Sequence, residues 1–222
     1  MRARGIQVHQ QRKKSRRYQT TAVLLIITMA LLLAGCGKPP TVTNRYLLEY
    51  PAPAIAGQTP LQESIRVELF SAAQSINSTA MIYFPRPYET SSYVYNRWMV
   101  SPSHMVTDFL LRDLRNSGLF KGVFGHQQSG LGRFKVEGAV QQFAEINDPD
   151  GWKAVLALTV TLLDLSRDEV TQRVIWQKNY HQEEYMPEQT AFGLAQGMSQ
   201  AMARVSHQVI SDLYQAAARV SR

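Results

Sequence analysis

The sequence predicts an α+β fold, in which a single domain has a mainly antiparallel sheet and two helices packed on one face of it. Three observations support this prediction. Several runs alternate apolar and polar residues with the period of a strand, and short turn-forming segments join most of these runs. Two other segments repeat their apolar residues every three or four positions, which is the period of an amphipathic helix.

The first part of the domain is predicted to hold two strands and an irregular connection between them. Residues 46–50 are strand-like, whereas residues 51–60 contain prolines that cannot donate a ladder hydrogen bond. Residues 65–69 alternate apolar and charged side chains, which indicates a strand with one buried face.

Two aromatic-rich runs, at residues 81–88 and 92–99, predict a hairpin whose turn is Glu89-Thr90-Ser91. Pro85 and Pro87 favour an edge position for the first of these strands.

A helix is predicted to follow the hairpin and to lead into the longest strands. Ser101-Pro102 is typical of a helix start, and Gly118 is the expected stop. Beyond a short strand at residues 119–124, three long strands are predicted, joined by turns at residues 147–151 and 166–168. They cover residues 134–146, 152–165 and 170–185.

The chain is predicted to end in a long helix over residues 188–217, with one apolar stripe. Gly193, Gly197 and Ala201 recur every four residues, which permits close approach of another backbone. Tight packing of the helix on the sheet is the favoured interpretation, and a contact between subunits is the alternative.

The amino-terminal residues have the order of a lipoprotein signal peptide. Seven basic residues precede an apolar run at residues 21–33, which is shorter than the ~20 residues of a spanning helix. Leu33-Ala34-Gly35-Cys36 resembles the lipobox, in which Cys36 receives lipid, including fatty acyl groups such as palmitate. We therefore expect a signal peptide at residues 1–35, a flexible lipidated tether at residues 36–43 and a domain at residues 44–218. By resemblance to the enterobacterial sorting rule, Gly37 in place of Asp implies the periplasmic face of the outer membrane.

The charge balance of the remaining chain argues against a nucleic-acid partner. The formal charge of +7 equals the seven basic residues of the signal peptide, so the remainder is neutral, with interspersed charges. Cys36 is the sole cysteine, and its lipidation would leave no thiol for a disulfide or a nucleophile.

No motif in the sequence predicts an enzyme, a cofactor or a metal site. The histidines have no metal-ligand spacing, and the polar residues from His181 to Glu184 are more typical of the wet face of a strand than of a metal site. Asp148 and Asp150 lack the other ligands of a calcium loop, so a turn is favoured.

Aromatic and basic side chains instead concentrate between residues 83 and 98, where they could form an interface or stack within the hairpin. In the same region, residues 81–89 (Met-Ile-Tyr-Phe-Pro-Arg-Pro-Tyr-Glu), Tyr95-Asn-Arg-Trp98 and residues 114–120 (Leu-Arg-Asn-Ser-Gly-Leu-Phe) resemble the ABC-type transport auxiliary lipoproteins. This family includes the lipoprotein of the paraquat-inducible operon, whose partners carry mammalian-cell-entry (Mce) domains.

The resemblance covers residues 44–217 and implies a fold similar to the amino-terminal domain of the Tol-system propeller protein. It also implies a non-enzymatic component of an Mce-type transporter that moves phospholipid or another hydrophobic substrate between the inner and outer membranes. The implied partners are a periplasmic Mce-domain protein with its permease and ATPase, and further copies of the chain in a homo-oligomeric ring.

The residues expected to contact the Mce protein or a neighbouring subunit are Arg86, Tyr88, Arg97 and Trp98. The alternative function is an envelope structural or regulatory lipoprotein, either an activator of a cell-wall synthase or an assembly pilot. The short tether argues against this alternative, because eight residues reach less than ~30 Å.

Overall fold

The computed structural model describes residues 42–130 and 132–221. Cys36, the signal peptide and most of the predicted tether therefore lie outside the described residues. Within them, the chain forms nine strands, two α-helices and one turn of 3-10 helix at Val170–Gln172. The strands are β1 Asn44–Tyr46, β2 Leu61–Val67, β3 Ser71–Ala72, β4 Ala80–Arg86, β5 Glu89–Trp98, β6 Phe120–Gly125, β7 Phe134–Asp148, β8 Gly151–Asp164 and β9 Val174–Tyr185; the helices are α1 Pro102–Ser117 and α2 Ala191–Val220.

The long strand β7 organises the sheet. Antiparallel β8 pairs with β7 along its whole length, and β9 pairs antiparallel with β8. The opposite edge of β7 is shared by three short strands, β2, β3 and β4, which all run parallel to it. Beyond them, β6 pairs with β2, while β5 and then β1 extend the sheet from β4. The α+β class with two helices is thus confirmed, and the sheet is mixed, with antiparallel long pairs and parallel short ones.

Helix α1 begins and ends where the sequence indicates. Pro102 occupies its first turn, and Gly118 ends it with φ of 63°, a left-handed conformation that costs glycine little. Ser101 precedes the helix, but its side chain caps no backbone N–H; its Oγ lies 3.0 Å from His104 Nδ1 instead. The apolar face of α1, which includes Met105 and Leu110, is buried against β6, β7 and β3.

Helix α2 packs across β8, β9 and β7. Thr190 caps it by accepting a hydrogen bond at Oγ1 from the Gly193 N–H, at 3.0 Å. A side chain at Gly197 would place its Cβ 2.8 Å from Ala154 Cβ of β8. This distance is too short for two carbon atoms, so the predicted close packing of helix on sheet is confirmed at this position.

The hairpin of β4 and β5 differs from the prediction in two ways. Its turn is Pro87-Tyr88, and Glu89 already pairs with Arg86, so the polar run at residues 89–91 belongs to a strand. Strand β4 is also internal, because it pairs with β7 as well as with β5. Pro85 is accommodated because the pairing with β7 ends at Phe84.

Candidate functional site

The tip of the β4–β5 hairpin presents an aromatic side chain to solvent on an unusual backbone. Tyr88 has φ of 67° and is fully exposed. A left-handed conformation at a bulky residue costs about 1–3 kcal/mol, and strained residues of this kind cluster at functional sites as well as in tight turns. Arg86 and Glu89 form an exposed ion pair across the turn. Two of the predicted contact residues, the cation Arg86 and the aromatic Tyr88, therefore lie together at the hairpin tip, although the turn itself lies at Pro87-Tyr88 and not at residues 89–91.

The base of the hairpin is held by a buried carboxyl group. Tyr93 donates a hydrogen bond to Glu145 Oε2 at 2.6 Å and packs edge-on against Tyr83, with ring centroids 5.4 Å apart. The pKa of Glu145 is raised, because the effect of burial is larger than the opposite effect of the hydrogen bond from Tyr93. Burial and this same contact raise the pKa of Tyr93. These aromatic rings therefore stack within the sheet, which was the alternative interpretation of the aromatic run.

Trp98 does not belong to the predicted contact surface. Its side chain is completely buried and packs edge-on against Phe143, with centroids 5.1 Å apart. The expectation that Trp98 contacts a partner is corrected by this burial, since a side chain in the core offers no area to another protein. Arg86 and Tyr88 lie together at the hairpin tip, whereas Arg97 lies at the other end of β5.

Arg97 has a basic neighbour, Arg45, that no pattern in the sequence indicated. Strand β1 pairs parallel with the end of β5, and Arg45 stands directly beside Arg97 in the register. Like charges at adjacent sheet positions repel each other. Within the described part of the chain, no carboxylate lies within 4.0 Å of either guanidinium. The pair is thus available to an anion from outside the domain.

A groove of about 520 Å³ opens beside β1, between residues 46–51 and helix α2. Its volume lies within the ~300–1,000 Å³ of typical ligand pockets. The rim includes Leu47 and Phe192, which are 52% and 54% exposed. Ala195 and Ala203 form its floor on α2, and small side chains there keep it open. The groove is therefore mostly apolar and accessible from solvent.

Hydrogen bonds fix the wall of this groove to both helices. The Glu49 N–H donates to Ser199 Oγ of α2 at 3.0 Å. Tyr50 donates through its hydroxyl to Asp113 Oδ2 of α1 at 2.8 Å, and Ser206 of α2 donates to the same oxygen at 2.6 Å. Burial and the nearby Asp113 carboxylate raise the pKa of Tyr50. The groove is therefore a built feature of the domain, because its two walls share one buried carboxylate.

The acidic and histidine side chains of residues 42–130 and 132–221 form no metal site. No cluster of three or more histidine, cysteine or acidic side chains there could hold a metal ion. His181 pairs only with Glu183 on the exposed face of β9, and Asp148 caps its own turn by accepting from the Asp150 N–H. The described residues also contain no helix long and apolar enough to cross a bilayer.

Comparison with protein-family models identifies a family that covers most of the chain. The model described as the ABC-type transport auxiliary lipoprotein component matches residues 46–210. No match is found among curated proteins.

Solved structures share the fold at low sequence identity. A protein from Xanthomonas campestris, assigned to the family DUF330, superposes with a TM-score of 0.73 at 18% identity, over 81% of this chain and 99% of that one. An uncharacterized protein gives a TM-score of 0.61 at 13% identity, over 78% and 99% of the two chains. A hypothetical protein from Chlamydia trachomatis gives 0.50 at 9% identity, over 69% and 96%. These likenesses establish the fold alone.

Proposed function

Because the chain belongs to the ABC-type transport auxiliary lipoprotein family, we propose that it is the outer-membrane lipoprotein of an Mce-type transport system. In this role it helps to move phospholipid or another hydrophobic substrate between the inner and outer membranes. The chain itself performs no catalysis, and the permease and ATPase of the system supply the path and the energy.

The observation that carries the proposal is the extent of the family match. It runs from the last residue of β1 to a point two-thirds of the way along α2, and so it covers strands β2 to β9 with the hairpin, helix α1 and most of α2. The lipobox-like sequence ending at Cys36 lies ten residues before the match begins, which is where a lipid anchor would be placed. Residues 1–35 then act as the signal peptide, residues 36–43 as the tether and residues 44–218 as the domain.

The hairpin tip is the surface we assign to the periplasmic Mce-domain protein or to a neighbouring subunit of a ring. Tyr88 provides a rigid aromatic side chain, and Arg86 provides a charge beside it, which together are typical of interface contacts. The exposed position of both side chains allows contact without rearrangement of the core.

Affinity purification from gently solubilised envelopes tests this function. The lipidated protein should recover an Mce-domain protein in a fixed ratio. Arg86→Glu and Tyr88→Ala should reduce that recovery, whereas the matched control Lys121→Glu, an exposed cation on β6, should not. Recovery of a peptidoglycan synthase or an assembly component in place of the Mce-domain protein would instead support the alternative function.

A further inference from the structure

Exposed and half-buried side chains at β1, at the end of β5 and at the start of α2 form a surface that the proposed protein contacts leave unused. We define the β1 face as Arg45, Leu47, Arg97, Met99 and Phe192. Arg45 and Arg97 are paired across β1 and β5, and the Met99 N–H donates to the Tyr46 carbonyl oxygen at 2.7 Å. Leu47 and Phe192 share the rim of the groove. These contacts place Arg45, Leu47, Arg97 and Met99 at the β1 edge of the sheet, and the groove brings Phe192 of α2 beside Leu47.

The apolar members of the β1 face are unusually accessible for their type. Leu47, Met99 and Phe192 are 52%, 50% and 54% exposed. Scattered exposed apolar residues need no explanation, but a group at one edge marks a surface that contacts something apolar. Leu47 and Phe192 also line the open groove, which gives an apolar partner more area to contact.

The charged members point to the chemistry of the partner. Two adjacent guanidinium groups without a carboxylate partner in the described chain attract anions, and the planar guanidinium fits a phosphate with two hydrogen bonds. Apolar side chains beside arginines are the combination that binds the interface of an anionic bilayer, where phosphates lie above acyl chains.

The length of chain that precedes the domain keeps this face close to a membrane. Only six residue steps separate Cys36 from Val42, and they span at most about 21 Å when fully extended. Strand β1 begins two residues after Val42. A lipid on Cys36 would therefore hold the β1 face near the bilayer surface, whereas no such limit applies to the far turn at residues 166–168.

We propose that the β1 face docks directly on an anionic phospholipid bilayer, with Arg45 and Arg97 on lipid phosphates and with Leu47, Met99 and Phe192 in the boundary of the acyl chains. This inference rests on the proposed lipidation of Cys36. Docking orients the domain, so that the hairpin tip is carried in a fixed direction relative to the membrane. The lipid anchor alone would leave that direction free.

Site-specific fluorescence in vesicles tests the docking. Because Cys36 is the sole cysteine and would be consumed by lipid, one introduced cysteine provides a unique thiol. Leu47→Cys and Phe192→Cys, each carrying an environment-sensitive dye, report on the β1 face. Val174→Cys on β9 is the matched control, since Val174 is 52% exposed. The lipidated proteins are reconstituted into vesicles of phosphatidylethanolamine and phosphatidylglycerol that contain a nitroxide-labelled phospholipid quencher.

We expect quenching at positions 47 and 192 and none at position 174. Arg45→Gln together with Arg97→Gln should lower the ratio of docked to undocked protein by roughly 25-fold, because each charge near an anionic surface contributes about five-fold. Vesicles without phosphatidylglycerol, or 1 M salt, should have a similar effect.

Other results would overturn the docking. Equal quenching at all three positions contradicts it. So does quenching at positions 47 and 192 that is unchanged when both arginines are replaced and when the anionic lipid is left out. If the dyes at positions 47 and 192 are shielded from water but are not quenched by the labelled lipid, and the protein forms oligomers, the face would instead be assigned to a second copy of the chain. Docking without recovery of an Mce-domain protein would contradict only the proposed function, and an unmodified Cys36 would contradict both.

Discussion

The buried Asp113 carboxylate should be one of the most sensitive positions of the domain. It is completely buried, and it accepts hydrogen bonds from the Tyr50 and Ser206 hydroxyls. Its other oxygen accepts from Arg112 Nε at 2.8 Å. The carboxylate therefore joins α1, α2 and the wall of the groove, and Asp113→Ala removes the acceptor from all three donors at once.

The expected loss follows from the environment of each donor. The hydroxyls of Tyr50 and Ser206 would remain in the core without an acceptor, and each such group costs about 1–3 kcal/mol. The Arg112 side chain is 36% exposed, but its Nη2, which lies 2.7 Å from Asp113 Oδ1, is buried, so the loss of this ion pair adds to the cost. We therefore expect Asp113→Ala to lower the free energy of unfolding by about 3–5 kcal/mol, a large part of the ~5–15 kcal/mol typical of a domain.

Urea denaturation measures this loss as a shift of the midpoint at an unchanged slope. Asp108→Ala is the matched control, because Asp108 lies on the exposed side of the same helix and should change stability by less than ~0.5 kcal/mol. A loss below ~1 kcal/mol for Asp113→Ala, or one no larger than that of the control, would refute the reasoning that Asp113 ties the groove wall to both helices.

Three further predictions concern packing and titration. Gly197→Ala should lower the melting temperature, with a loss of about 1–3 kcal/mol, because the new methyl group would overlap Ala154; an unchanged melting temperature would contradict the close packing of α2 on β8. Burial raises the pKa of Glu145 above 4.5, so the stability that the protonated group contributes is full below its unfolded pKa and is lost as pH rises through its folded pKa. In urea titrations, Glu145→Gln should therefore lose less stability than the parent protein as pH rises above 4.5, and the same pH dependence in both proteins would count against this. Burial raises the pKa of Asp164, but the two hydrogen bonds from Arg133 help to lower this pKa to about 2. The ionised carboxylate therefore stabilises the fold by about 2 kcal/mol above pH 4, and this stabilisation is lost as pH falls through 2. Asp164→Asn should flatten the acid limb of the stability curve, and an unaltered limb would disprove the assignment.

Local signals in the sequence were sufficient to predict the two helices. Ser101-Pro102 and Gly118 mark the bounds of α1 because helix ends depend on the few residues that form them. The apolar repeat of α2 is equally local, although the helix extends to Val220, three residues beyond the predicted end. The long strands β7 and β8 were also predictable, since each alternates over more than ten residues and a short turn joins them.

The hairpin turn and the first strand depended on contacts that a sequence does not display. The polar run after Tyr88 is typical of a turn, but pairing of Glu89 with Arg86 draws it into β5 and leaves Tyr88 in a strained conformation. The strand-like run at residues 46–50 ends at Tyr46, because Tyr50 bonds to Asp113 on α1 instead of continuing the ladder. The parallel pairing of short strands that lie far apart along the sequence likewise depends on the whole fold.

The candidate site was predictable only where exposure follows from a turn. Arg86 and Tyr88 were selected from the sequence and lie at the hairpin tip, whereas Trp98 has the same residue type as an interface anchor but is buried against Phe143. Arg45 was missed, because its importance comes from its register with Arg97, 52 residues away. A basic residue in the first strand was the sole signal, and it carries no information about its neighbour.

Photocrosslinking in intact envelopes from a reactive amino acid at position 88 would identify the partner of the hairpin tip, with position 121 on β6 as the matched control. We expect a crosslink from position 88 to an Mce-domain protein, or to a second copy of the chain within a complex that contains one, and none of either from position 121. Crosslinks from position 88 to a cell-wall synthase or an assembly component, without an Mce-domain protein in the complex, would contradict this expectation.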